Sequence, residues 1–133
     1  RDRPDLHSPA LRLRLADLWT QAEAYRLTGE RARVARTAGP PGPEASIGKL
    51  VGAELNQKIY DFCMDVLGPE GTLYDSYDDP ADSLQRRFLR ARANTIEGGT
   101  SQILRNVLGE RVLRLPGDVR VDTGKPWRDV PRG

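Results

Sequence analysis

Apolar residues recur at three- and four-residue spacing in four stretches of the chain, and each stretch is bounded by residues that start or stop helices. Leu11, Leu15, Leu18, Ala22 and Tyr25 repeat in this way from about Pro9 to Thr37, which places them on one side of an amphipathic helix. Ser8 followed by Pro9 suits its start, because the hydroxyl can cap and the proline needs no N–H donor there. The segment AGPPGP at 38–43 then breaks the helix and redirects the chain.

A second helix is predicted from Pro43-Glu44 to about Leu67, with Ile47, Val51, Leu55, Ile59, Phe62 and Val66 as its apolar stripe and Gly68-Pro69 as its stop. Asp79-Pro80 reads as the start of a third helix reaching about Ile96, with Leu84, Phe88, Ala91 and Thr95 on one face. Gly98-Gly99 interrupts it. Thr100 can cap a fourth, whose Ile103, Val107, Leu108, Val112 and Leu115 make a buried side before Pro116-Gly117. Four such stripes cannot be buried one helix at a time, so the expected fold is all-α, an antiparallel four-helix bundle over residues 1–117, followed by an extended or partly mobile tail at 118–133.

Composition narrows the function classes. At 133 residues the chain has the size of one domain, too small for separate cofactor and substrate domains. With 21 Lys+Arg against 19 Asp+Glu, it lacks the charge imbalance of a typical polyanion binder. Arg86, Arg87, Arg90 and Arg92 form a local exception that reads as a solvated helix face. No apolar run is long enough to span a bilayer and the opening RDRPDLHSP has no signal-peptide centre. The lone Cys63 allows no internal disulfide, which favours a reducing compartment, and the cytoplasm is the expected location. Met64 is the sole methionine, so the chain is expected to be a piece of a longer protein. Neither His7 nor Cys63 has the neighbours of a metal site, and Asp75, Asp78, Asp79 and Asp82 lack calcium-loop spacing; no metal is expected.

The string NTIEGGTSQILRNVLGERVL, from Asn94 to Leu113, sets an acid, two glycines and a hydroxyl at the junction of the last two helices. Two physical readings apply. The glycines and the start of the last helix can let a ligand approach the backbone, or they simply turn the chain while Thr100 caps.

TIEGGTSQILRN followed by LGERVLRLP resembles the end of the acyl-CoA dehydrogenase family, whose carboxy-terminal domain carries an EGT-S/A-Q-I-Q-R type sequence. PGPEASIGKL followed by LNQKIYDFCMDVLGPEG resembles the same family's helix leading into its flavin-binding turn. The resemblance runs in order from about Leu11 to Pro116. It implies an FAD enzyme that converts an acyl-CoA thioester to the trans-2-enoyl product, a glutamate taking the α-proton while hydride passes to the flavin. It implies Gly99, Thr100 and Gln102 as flavin contacts at the corner, Gly68 and Gly71 as flavin contacts at the turn, and Glu97 as the catalytic acid-base residue. Its partners are then an acyl-CoA substrate, an electron-transfer acceptor and either further copies of itself or a related subunit, without nucleic acid or a membrane span.

Three positions depart from the family pattern. Gly98 stands where the base commonly does, with Glu97 one residue earlier and so about 100° away on a helix. Some members draw the base from an earlier helix, so the base is Glu97 or a residue this chain does not contain. Asp65 replaces a common glutamine in the turn, and Pro69 a common glycine, removing an N–H and adding an acid. These changes sustain the alternative of a non-catalytic assembly subunit of the same family. A basic nucleic-acid-binding module, resting on the arginine cluster, is the contrasting class. The isolated chain is expected to be inactive.

Overall fold

The computed structural model describes residues 8–39, 44–73, 83–117 and 122–130. Among them are four α-helices, α1 (Pro9–Ala38), α2 (Glu44–Leu67), α3 (Leu84–Ala91) and α4 (Ser101–Val107), and no strand. The all-α expectation holds. The proposed start at Asp79-Pro80, the acidic cluster, His7 and most of the 38–43 breaker lie outside the described residues.

Local chemistry sets the helix ends. Ser8 Oγ accepts from the Leu11 N–H at 3.2 Å and begins α1. Gly68 ends α2 at φ +61°, a left-handed conformation that suits glycine, and the chain continues as a 3-10 turn over Gly68–Thr72. Ser83 caps α3 by accepting from the Arg86 N–H at 3.2 Å.

Helix α2 is the centre of the fold, since α1, α3, α4 and both flanking 3-10 segments all pack against it. Lys58 reaches Gln21 and Arg14 reaches Asp65, so α1 and α2 run antiparallel. Among the described residues, the buried apolar ones are Leu50, Ala53 and Leu55 on α2, with Ala32 on α1 and Ala91 on α3. Three of these five are alanines, which lets helix backbones approach closely. The inner face of α2 therefore runs through Leu50 and Ala53, and the predicted stripe residue Val51 is exposed. On α1, Leu15 likewise points outward, 56% exposed, and Trp19 beside it is 72% exposed.

The last two helices are shorter than the pattern predicts. Helix α3 stops at Ala91, and Arg92–Thr95 winds as a 3-10 turn. The cause is Gln57 on α2, whose Nε2 donates to the carbonyls of Ala91 and Arg92 at 3.3 and 3.4 Å and to Thr95 Oγ1 at 2.8 Å. Helix α4 widens after Val107 into a π turn over Leu108–Val112, closed by the Leu113 N–H on the Leu108 carbonyl at 3.1 Å. Val107 and Leu108 are half-buried, but Ile103, Val112 and Leu115 are exposed and do not form the continuous buried side expected. The wider turn changes the angular spacing of the stripe beyond Val107, which accounts for Val112 and Leu115, while Ile103 lies before it in regular α-helix.

Candidate functional site

The corner between α3 and α4 is built by glycine conformation and a cap. Gly98 sits at φ +62° and Gly99 at φ +102°, reversing the chain in two residues. Thr100 Oγ1 accepts from the Ile103 N–H at 3.2 Å. That bond uses an oxygen lone pair, so the Thr100 hydroxyl keeps its proton to donate elsewhere.

Two residues of α2 fix the corner from beneath. The Lys49 ammonium donates to the carbonyls of Asn94 and Gly99 at 2.7 and 2.8 Å, and Gln57 holds the preceding turn as described above. Sequence reasoning missed both. The available signal was a cation and an amide, Lys49 and Gln57, placed at helical spacing on either side of the buried Leu50 and Ala53.

A groove of about 530 Å³ opens beside the corner, lined by Gln57, Thr95, Thr100, Ser101, Gln102 and Arg105 among others. Arg105 is tied across it to Glu54 at 2.6 Å. Ser101 is 6% exposed, and its Oγ has no hydrogen-bond partner among the described residues. A buried hydroxyl without a partner is costly and marks a polar position left to be satisfied.

Glu97 faces elsewhere. Its carboxylate accepts from one terminal nitrogen of Arg90 at 2.9 and 3.0 Å, and the other terminal nitrogen of Arg90 donates to Asn94 Oδ1 at 3.1 Å. It lines a separate, smaller depression with Tyr25, Lys49, Gly52 and Asn94. Arg92 is bound to Asp61 at 2.5 Å and lies over the Phe88 ring at 4.4 Å. Two arginines of the basic cluster are thus engaged within the fold.

Gly68 and Gly71 line a third groove, of about 460 Å³, with Met64, Asp65, Thr72, Gln85, Phe88 and Leu89. Its apolar side chains and few polar groups make a lining suited to a flat ring system. A Cβ on Gly71 would lie 3.2 Å from the Met64 carbonyl oxygen, so close backbone approach accounts for that glycine. Among the described residues Asp65 is the one acid in the lining, and Arg14 meets it at 2.6 Å. The expected site residues therefore fall in three concavities: Thr100 and Gln102 in one, Glu97 in another, Gly68 and Gly71 in the third. Gly99 forms the corner itself.

The amino-acid sequence matches the family model described as acyl-CoA dehydrogenase, C-terminal domain, over residues 1–113. It is 34% identical over 112 residues to acyl-CoA dehydrogenase IpdE1 of Mycobacterium tuberculosis, covering 84% of this chain and 28% of that protein. It is 36% identical over 106 residues to acyl-CoA dehydrogenase FadE34 of the same organism, covering 77% of this chain and 14% of that protein. A 3-sulfinopropanoyl-CoA desulfinase of Advenella mimigardefordensis is 31% identical over 113 residues, with 85% of this chain and 27% of that protein covered. The chain thus spans less than a third of the length of these relatives. No solved structure matches it. Among the described residues no helix is long and apolar enough to cross a membrane.

Proposed function

The chain belongs to the acyl-CoA dehydrogenase C-terminal domain family, and from that membership we propose that it serves as the helical, cofactor-facing domain of a longer FAD-dependent enzyme acting on an acyl-CoA thioester. The dehydrogenase and desulfinase relatives named above share the CoA thioester in their names, which supports that substrate class. When bound, FAD would supply the acceptor for the hydride that leaves the β-carbon.

The observation that carries this reading is the groove beside the corner, where the Thr100 hydroxyl proton, the exposed Gln102 amide and the unpartnered Ser101 hydroxyl lie together. Hydroxyls and an amide suit the alternating donors and acceptors on the edge of a flavin ring. Gly99 would contribute by keeping the corner tight. Gly68 and Gly71 would border the cofactor at the second groove, whose apolar lining and charge-balanced acid suit a dinucleotide. Lys49 and Gln57 hold the corner in place.

Within the chain, Glu97 is the candidate to take the α-proton on a carboxylate oxygen, and it would have to leave Arg90 to do so. The Arg90 contacts favour a second reading, in which Glu97 braces the corner and the base lies outside this chain, or the chain serves assembly alone. The exposed apolar side chains of α1, Leu15 and Trp19 among them, are surface that the rest of the protein or another subunit would cover. We place the protein in the cytoplasm, with the isolated chain inactive.

The test is made on the full-length protein. Bound FAD and acyl-CoA oxidation with an electron acceptor support the proposal, and Thr100→Val combined with Gln102→Ala should lower flavin occupancy. Glu97→Gln with flavin retained and turnover reduced about a hundredfold or more assigns the base. Near-normal turnover in that variant places it elsewhere. A full-length protein without flavin or activity in every assembly favours the assembly subunit.

A further inference from the structure

Resting on the reading in which the Gly68 to Gly71 turn borders a bound dinucleotide, we propose that Arg14, on a different helix, is an affinity determinant for it, acting by cancelling the charge that Asp65 brings to the groove.

Among the described residues, Asp65 is the one acid that lines the groove, beside Gly68, Gly71 and Thr72. Left alone, its carboxylate would repel a pyrophosphate. Arg14 NH2 meets Asp65 Oδ2 at 2.6 Å, so the pair sums to zero charge at the groove's edge. The guanidinium is also placed over the Phe62 ring, 5.2 Å from its centroid, which restricts where the cation can sit. The antiparallel register of α1 on α2 puts position 14 against position 65, in the last turn of α2.

Both side chains are about half exposed, with relative accessibilities of 50% and 56%, so the pair contributes little to folding. Its effect is on the field at the groove. An unpaired unit charge within about a Debye length of a doubly charged pyrophosphate, in a solvated setting at low salt, would change affinity by about threefold to tenfold. Arg14 makes no contact with cofactor in this scheme. It is a positioning residue acting through Asp65.

The experiment is a fluorescence titration of FAD into the flavin-stripped full-length protein, comparing wild type, Arg14→Gln, Asp65→Asn and the double variant. At low salt Arg14→Gln should bind about threefold to tenfold more weakly, Asp65→Asn more tightly by a similar factor, and the double variant close to wild type. At about 0.5 M salt the differences should shrink towards unity. Asp65→Asn leaves the α1 side chains untouched, so it reads the charge effect even where Arg14→Gln disturbs packing. Wild-type protein that binds no FAD defeats the underlying reading and the proposal with it. Wild type that binds FAD while Arg14→Gln binds equally well, or while the double variant stays as weak as Arg14→Gln, overturns the proposal alone.

Discussion

The Lys49 ammonium lies 2.8 Å from the Gly99 carbonyl oxygen, and the same nitrogen lies 2.7 Å from the carbonyl of Asn94. One cation on α2 thereby closes both ends of the corner that joins α3 to α4. Its side chain is half-buried, so its bonds compete with water less than those of an exposed lysine. Lys49→Met removes the charge-assisted donor, leaves two carbonyls unpaired and should cost about 2 kcal/mol of local stability. Amide hydrogen exchange at Ile103 and Leu104, the first hydrogen-bonded amides of α4, should quicken in that variant while exchange in the middle of α1 stays unchanged. Equal protection at both amides would show that the corner holds without Lys49.

The corner glycines should differ in what they tolerate. Gly98, at φ +62°, lies in the left-handed region that asparagine visits more readily than alanine. Gly98→Asn should therefore be milder than Gly98→Ala, which should cost about 1 kcal/mol or more. Gly99, at φ +102°, lies beyond that region, so asparagine gains no advantage there. Thermal unfolding of the four variants should give a clear gap between the substitutions at Gly98 and none at Gly99.

Helix existence was legible in the sequence because starts and stops have local chemistry: Ser8, Gly68 and Thr100 act within a few residues of themselves. The inner faces were less legible. Val51 and Leu15 fit an apolar stripe as well as Leu50 does, but which one faces inward depends on where neighbouring helices lie. The shortening of α3 depends on Gln57, 34 residues away from Ala91 in sequence, and no local pattern announces it. The corner was readable as a glycine turn with a cap. Its support by Lys49 and the diversion of Glu97 to Arg90 are long-range or side-chain choices that spacing does not encode.

Gly52 and Tyr25 meet where α1 packs on α2. A Cβ on Gly52 would lie 2.7 Å from the Tyr25 hydroxyl oxygen and 2.9 Å from Cζ. Gly52→Ala must push the outer end of the tyrosine ring aside, and because Tyr25 is 39% exposed that shift offsets only part of the gain in helix propensity of about 1 kcal/mol. With Tyr25→Leu in place the obstacle is gone, and Gly52→Ala should stabilise by more than it does in the wild-type background. A double-mutant cycle on thermal stability checks this coupling; simple additivity would mean that the ring already moves freely.

Burial pushes the Cys63 thiol up from its ordinary value, because the charged thiolate loses hydration on α2. A raised acid pKa in the folded state means that folding favours the neutral thiol. The resulting stability is fully present below the unfolded pKa and is lost as pH rises through the folded one. Alkylation by iodoacetamide reads the folded value directly, since the thiolate is the reacting form. The rate at pH 8 should be below that of a small free thiol, and its rise with pH should centre above the free thiol's. Cys63→Ala should remove this residue's share of the alkaline loss of stability. An alkylation profile that overlays the free thiol's would show that the sulfur is fully hydrated in the folded protein.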